Sequence, residues 1–412
     1  MTTTVNDEGT AATVSTNDEV LERWRDKKKY LWPLSLLPAL VTFIAWGLVE
    51  LTGNGIFWWS GPVLVFVLIP ILDVLIGDDG QNAPDEFMDE LENDPFYRWV
   101  TYLYIPLQYA GLAVAVAMWA TGTLSILESI GLAVTVAMTS GIGITVAHEL
   151  GHKKQEHERW LSRIVLAQSF YGHFFIEHNR GHHVRVATPE DPASSRFGEN
   201  FYQFLPRTVK GSLTSAWELE KKRFERLGQS HWTLKNDVLN AWLMSVVLFG
   251  GILVGLQALS FAGVLTNYSI WNVVPYLIIQ GVIGFGLLEI VNYLEHYGLK
   301  RQKLESGRYE RCSPQHSWNS DRIVTNLALY QLQRHSDHHA NPTRRYQTLR
   351  TFDESPQFPG GYATMIVIAA IPPLWRKVMD HRVLDHYDGD ITKANIYPPK
   401  RDKILAKYGQ TS

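Results

Sequence analysis

VLNAWLMSVVLFGGILVGLQALSFAGVLTNYSIWNVVPYLIIQGVIGFGLL, residues 238–288, runs for 51 positions without one Asp, Glu, Lys or Arg. A helix crossing the hydrocarbon core of a bilayer needs about 20 mostly apolar residues. The run is therefore too long for one span and long enough for two. Thr266, Asn267, Tyr268 and Ser269 divide it, so spans are expected near 238–264 and 270–293. Four more stretches qualify toward the N-terminus: 30–49, 56–76 with Asp73 near its end, 99–122, and 124–147 with Glu128 as its one charge. This predicts an all-α membrane protein of six transmembrane helices, arranged as three hairpins in the lipid bilayer. The polar segments 148–237 and 294–412 are expected to fold as a helical cap over them. Residues 1–26, rich in Thr, Asn, Asp and Glu, read as a disordered tail without the apolar core of a signal peptide. The remainder, 27–412, reads as one integral-membrane domain.

Basic residues orient these spans. The outer connections, near 50–55, 121–126 and 265–270, hold no Lys or Arg, whereas the residues before 30 hold 5, the 77–98 loop 1, the 148–237 segment 14 and the residues after 294 hold 18. Cytoplasmic loops carry the Lys/Arg excess, so both termini and both polar segments are expected on the cytoplasmic side of the membrane. The 77–98 loop carries eight acids; acids contribute little to orientation, and it reads as a solvated linker. The run at 362–374, interrupted by Pro372 and Pro373, is too short to span and reads as interfacial or buried. A net charge of −3 gives no sign of a nucleic-acid partner. The single Cys312 excludes a disulfide framework and a thiolate metal cluster.

Nine of the 15 histidines gather in four clusters, each just beyond an apolar stretch or in the cap. They read HELGH (His148, His152), EHNRGHH (His178, His182, His183), NYLEHYG (His296) and HSDHH (His335, His338, His339). Spacing of i,i+4 puts two rings on one face of a helix, and imidazole is the commonest metal ligand. One such pair is usually incidental. Three of them at one membrane face, with a ninth ring closing the sixth span, are a costly concentration of polar groups unless something uses them. Nine rings are too many for one ion, so a site for two metals is expected at the membrane edge. All-nitrogen ligands suit iron, copper, zinc or nickel, and attack on an inert C–H bond with O2 favours iron. The other six, His157, His173, His231, His316, His381 and His386, lack a patterned partner and are expected at the surface or hydrogen-bonded.

Metal-bound imidazoles commonly hold their second nitrogen against a carboxylate or carbonyl. Glu149, Glu177, Glu295 and Asp337 neighbour the histidines in sequence and are candidates for that role. Glu289 lies two helical turns before His296, with Asn292 between them on nearly the same face. An ionisable residue inside a span is a functional candidate by default, which makes Glu289 a possible ligand, proton relay or supporting group. Asp73 and Glu128 come next.

The longer strings HELGHK (148–153), EHNRGHH (177–183), NYLEHYGL (292–299) and LQRHSDHHA (332–340) resemble those of the integral-membrane di-iron superfamily of desaturases and hydroxylases, and most closely the bacterial alkane 1-monooxygenases. The 292–299 string discriminates, since desaturases share the other boxes only in outline. The resemblance covers roughly 27–405. It implies two iron ions held by the nine histidines and terminal hydroxylation of medium-chain n-alkanes to 1-alkanols with O2. It also implies two electrons from rubredoxin, itself reduced by an NAD(P)H-dependent rubredoxin reductase. Rubredoxin needs four cysteines for its iron and this chain has one, so the carrier is expected on a separate polypeptide or a region outside this chain. Two other readings stay open: a membrane fatty acyl desaturase or hydroxylase using the same site, and an intramembrane zinc metalloprotease using HExxH at 148–152 with Glu149 as general base. A metal transporter would place its ligands at mid-membrane, not at the span ends.

Overall fold

A computed structural model describes residues 24–409. Six helices are long and apolar enough to cross a membrane: α1 (Lys29–Thr52), α2 (Gly55–Ile76), α3 (Pro95–Ala120) and α4 (Ile126–Gly151), then, after the cap helices α5 (Glu156–Ala167) and α6 (Phe201–Arg226), α7 (Asp237–Phe261) and α8 (Ile270–Glu295). Shorter helices follow: α9 (Ile323–Ala328), α10 (His335–Ala340), α11 (Tyr362–Ala369) and α12 (Pro372–His386). Among the described residues there is no strand, only isolated bridges. Val74 of α2 and Val254 of α7 are 74% and 72% exposed. Apolar surface of that kind along a span is covered by lipid, and the chain is a multi-pass membrane protein.

All six expected spans are present, with ends set by capping chemistry. α3 begins at Pro95 rather than 99, because Asp94 accepts from the Phe96 N–H at 2.9 Å and proline suits the first helical position. α4 begins at Ile126 because Ser125 and Glu128 form a capping box. That gives Glu128 a local structural task. At its other end α4 continues to Gly151, so His148 belongs to the spanning helix and not to the cap. The 1–26 tail lies outside the described residues for 1–23. Residue 24 onward is packed, with Trp24 against Phe87 and the Tyr97 hydroxyl donating to Asp26 at 2.6 Å. The 77–98 loop is not a solvated linker: Leu91 is buried, and Glu92 accepts from the Arg345 N–H at 3.0 Å and the Thr348 hydroxyl at 2.8 Å.

α4 is the axis of the bundle, buried almost throughout from Ser129 to Gly151 and packed on α8, α5, α3 and α1. Small residues let membrane helices approach closely. A methyl on Gly141 would lie 3.0 Å from the Gly284 carbonyl and 2.9 Å from Leu287 of α8. Polar ties fix the register: Tyr104 of α3 donates to the Thr139 carbonyl at 2.8 Å, and Gln280 of α8 to the Gln168 carbonyl at 2.9 Å. This packing brings the C-terminal ends of α4 and α8 side by side, and the polar segments fold over those two ends.

Candidate metal centre

The nine histidines meet in two adjoining groups. His148, His152, His178, His183 and His338 form one; His182, His296, His335 and His339 form the other; in each, one candidate ligand atom per residue lies within 4.8 Å of all the rest. The groups touch where the His183 and His339 rings come 4.6 Å apart, centre to centre. α4 and its C-terminal cap supply His148 and His152 from one face, as i,i+4 spacing predicts.

The EHNRGHH box departs from that expectation. His178–His182 is wound as a π-helix, in which i and i+5 approach. His178 therefore pairs with His183, their Nε2 atoms 3.1 Å apart, and His182 turns into the second group. A Cβ at Gly181 would crowd the Glu177 carboxylate and the Arg185 guanidinium, which pair over this turn. α10 serves both groups, His338 reaching His183 (Nε2 to Nε2, 3.1 Å) and His339 reaching His335 (2.9 Å).

The donor set fits metal ions. Nε2 of His148, His152, His182 and His296 is buried without a hydrogen-bond partner. Unpaired buried polar atoms are costly, and metal ligation would satisfy these. Burial, reinforced by the neighbouring rings, pushes His152, His178, His183, His335, His338 and His339 well below the usual histidine range, and His296 to about 3. The rings are thus neutral, the form that binds metal. In two cases the opposite nitrogen is anchored while Nε2 stays free: His182 Nδ1 lies 2.9 Å from Asp191 Oδ2, and His296 Nδ1 lies 3.1 Å from the His316 carbonyl. Burial alone would raise the Asp191 carboxyl, yet His182 and the Ser194 hydroxyl hold it down to about 2. Sequence reasoning missed Asp191, which stands nine residues from its histidine in a turn.

The carboxylates singled out from the sequence are distributed differently. Glu295 reaches the site, its Oε2 3.2 Å from His335 Nε2. Glu149 pairs with Lys153 at 3.0 Å and accepts from the Tyr346 N–H at 3.3 Å; a zinc protease would need it free to activate water. Glu177 pairs with Arg185 at 2.7 Å, and burial raises it to about 7. Asp337 accepts from Arg344, Asn341 and the Arg350 N–H at 2.8–2.9 Å. Asp73 accepts from the Thr325 N–H and hydroxyl, tying α2 to α9. Glu289 accepts from Tyr171 (2.8 Å), Thr208 (2.9 Å) and Asn292 (3.2 Å), and belongs to neither histidine group. Asn292 is used by Glu289. Among the six unpatterned histidines, His316 is hydrogen-bonded as expected, but His173 is buried with neither ring nitrogen paired.

A narrow apolar cavity lies among α2, α4, α8, α9 and α11. Ile142, Leu288, Val291 and Ile366 line it, with Thr145 one helical turn before His148 and Leu332 three residues before His335.

The fatty acid desaturase family model matches residues 127–369. An alkane 1-monooxygenase of Acinetobacter baylyi is 47% identical over 394 residues, covering 94% of this chain and 92% of that one. The alkane 1-monooxygenase of Ectopseudomonas oleovorans is 44% identical, covering 94% and 93%, and alkane 1-monooxygenase 1 of Alcanivorax borkumensis is 43% identical with the same coverage. With this agreement along nearly its whole length, the chain belongs to the fatty acid desaturase family and, within it, to the alkane 1-monooxygenases.

Proposed function

We propose that the protein hydroxylates the terminal carbon of medium-chain n-alkanes: R–CH3, O2, two electrons and two protons give R–CH2OH and water. The observation that carries this reading is an apolar cavity between the spans, whose lining includes Thr145 one helical turn before His148, together with two all-histidine groups. His148, His152, His178, His183 and His338 would hold one iron ion, and His182, His296, His335 and His339 the other. Iron held in this way supplies the activation of O2 that side chains alone cannot.

The chain's own part is binding and exclusion. An alkane, already dissolved in the bilayer, offers no polar handle, so Ile142, Leu288, Val291 and Ile366 can select it only by shape. One methylene in such a pocket is worth about 1–3 kcal/mol, and chain-length selectivity should be broad. Asp191 and the His316 carbonyl orient His182 and His296. Residues 148–237 and 294–412 would face the cytoplasm of the bacterial inner membrane, as the basic-residue asymmetry supports. There the separate rubredoxin, reduced by its NAD(P)H-dependent reductase, could deliver electrons.

Purified protein incubated with rubredoxin, its reductase, NADH and a graded series of n-alkanes should yield 1-alkanols and bind about two irons per chain. An unsaturated acyl product with no alkanol would instead establish the desaturase reading, and one zinc with peptide cleavage the protease reading.

A further inference from the structure

The elbow between α11 and α12 has no role in the chemistry above. Pro372 and Pro373 open α12, and Ile371 before them is extended (φ −115°, ψ 90°), the conformation that a following proline favours. α12 then presents two unlike sides. Trp375, Met379 and Val383, four residues apart, are buried. Leu374, Lys377, Val378, His381 and Arg382, at helical spacing, line an open groove whose other wall is α11.

An apolar tip at the elbow adjoins the groove through Leu374, and the groove's α12 wall continues into cations. Val367, Ile371 and Leu374 are 39%, 49% and 38% exposed. Lys377 is exposed and has no hydrogen-bond or ion-pair partner among the described residues. Arg382 contacts only the Val378 carbonyl and the His381 ring. No carboxylate lines the groove; Asp380, the acid on the same helical turns, accepts from the Tyr297 hydroxyl at 2.9 Å. On its opposite side α11 contributes Ala363 and Ile366 to the apolar cavity, so the elbow stands at the level of the membrane helices.

An exposed apolar tip leading into unpaired cations matches the profile of a bilayer interface, with acyl chains below and phosphates above. We propose that this groove binds an anionic phospholipid, with Lys377 and Arg382 on the headgroup phosphate and the Val367, Ile371 and Leu374 tip among its acyl chains. A free phosphate would use the cations alone and leave that tip without a role.

The test is lipid retention by the full-length protein, drawn from nanodiscs of mixed phosphatidylglycerol and phosphatidylcholine and read by native mass spectrometry. Each cation near an anionic surface contributes roughly fivefold, so wild type should prefer phosphatidylglycerol by at least about tenfold, and a Lys377→Glu, Arg382→Glu variant should lose that preference. Wild-type metal content in the variant reports that it is folded; if the reversal does not fold, Lys377→Gln with Arg382→Gln removes the charges in place. Equal retention of both lipids by wild type, or an unchanged preference in the folded variant, overturns the proposal. So does displacement of the lipid by millimolar inorganic phosphate, which would make this a free-anion site. A raised KM for the protein electron donor with unaltered lipid preference would make it a protein-docking patch and overturn it as well.

Discussion

The two histidine groups share a border but are held in place by different means. In the group of His148, His152, His178, His183 and His338, no ring nitrogen bonds to anything except another imidazole among the described residues. Its geometry comes from the backbone: one face of α4, the π-turn at His178–His182, and α10. In the group of His182, His296, His335 and His339, two rings are backed at the nitrogen turned away from the group, by Asp191 and the His316 carbonyl, and Glu295 lies on the inner side against His335 Nε2. Backing groups orient a ligand and raise its basicity. The first group therefore depends on helix packing, and the second on a few polar contacts that single substitutions can remove.

The largest effect should come from the rings themselves. His178→Ala and His335→Ala should each bring alkane hydroxylation down to background and roughly halve the bound metal, one from each group. Full turnover by either variant, once inserted in the membrane, would remove that residue from the ligand set.

Next in size is Asp191→Asn, which keeps the shape and removes the charge behind His182. Loss of such a partner typically weakens metal binding about 10–100-fold. Metal titration should show one site weakened and one unchanged; equal weakening of both would erase the distinction between the groups.

Acid should act on the chelator-stripped protein. Burial holds the folded values of His152, His178, His338 and His339 below the ordinary one, which is about 6.5 in an unfolded chain. Below that pH the unfolded chain binds more protons than the folded one, so their contribution to stability is present above about 6.5 and is lost as pH falls. The Tm of stripped protein should drop between pH ~6.5 and ~5, while metal-loaded protein should resist. A flat profile would mean that the rings are not held neutral in solution.

Glu289→Gln should have the smallest effect on metal. It perturbs the contacts with Tyr171, Thr208 and Asn292, a loss of about 1–3 kcal/mol in stability, with metal content at the wild-type level. Loss of metal in this variant would make Glu289 a ligand after all.

Much of this was legible in the chain because a bilayer imposes simple demands. A helix in lipid must be long, apolar and internally hydrogen-bonded, so uncharged runs mark the spans to within a few residues. Capping side chains such as Asp94 and Ser125 set the remaining few. The histidine clusters were equally visible, since no ordinary core tolerates nine imidazoles. The supporting groups were not. Glu149, Glu177 and Asp337 adjoin histidines in sequence yet pair with Lys153, Arg185 and Arg344, because neighbours along a helix point in different directions. Asp191 lies apart in sequence and reaches His182 only through the turn that follows the box.

Residue type and spacing alone thus set the six-helix membrane architecture, the nine-histidine inventory and the family to which the chain belongs. These follow from local rules, the length of apolar runs and the order of side chains along them. Folding in three dimensions assigned the histidines five and four to their groups. The i,i+4 rule would have kept His178 with His182, but π-winding of His178–His182 sends them to different sides. Folding also withdrew Glu289 into a hydrogen-bonded cluster and placed Asp191 behind a ring. Each of these depends on which surfaces meet when α4, α8 and α10 pack, and that is a property of the assembled bundle, not of any one segment.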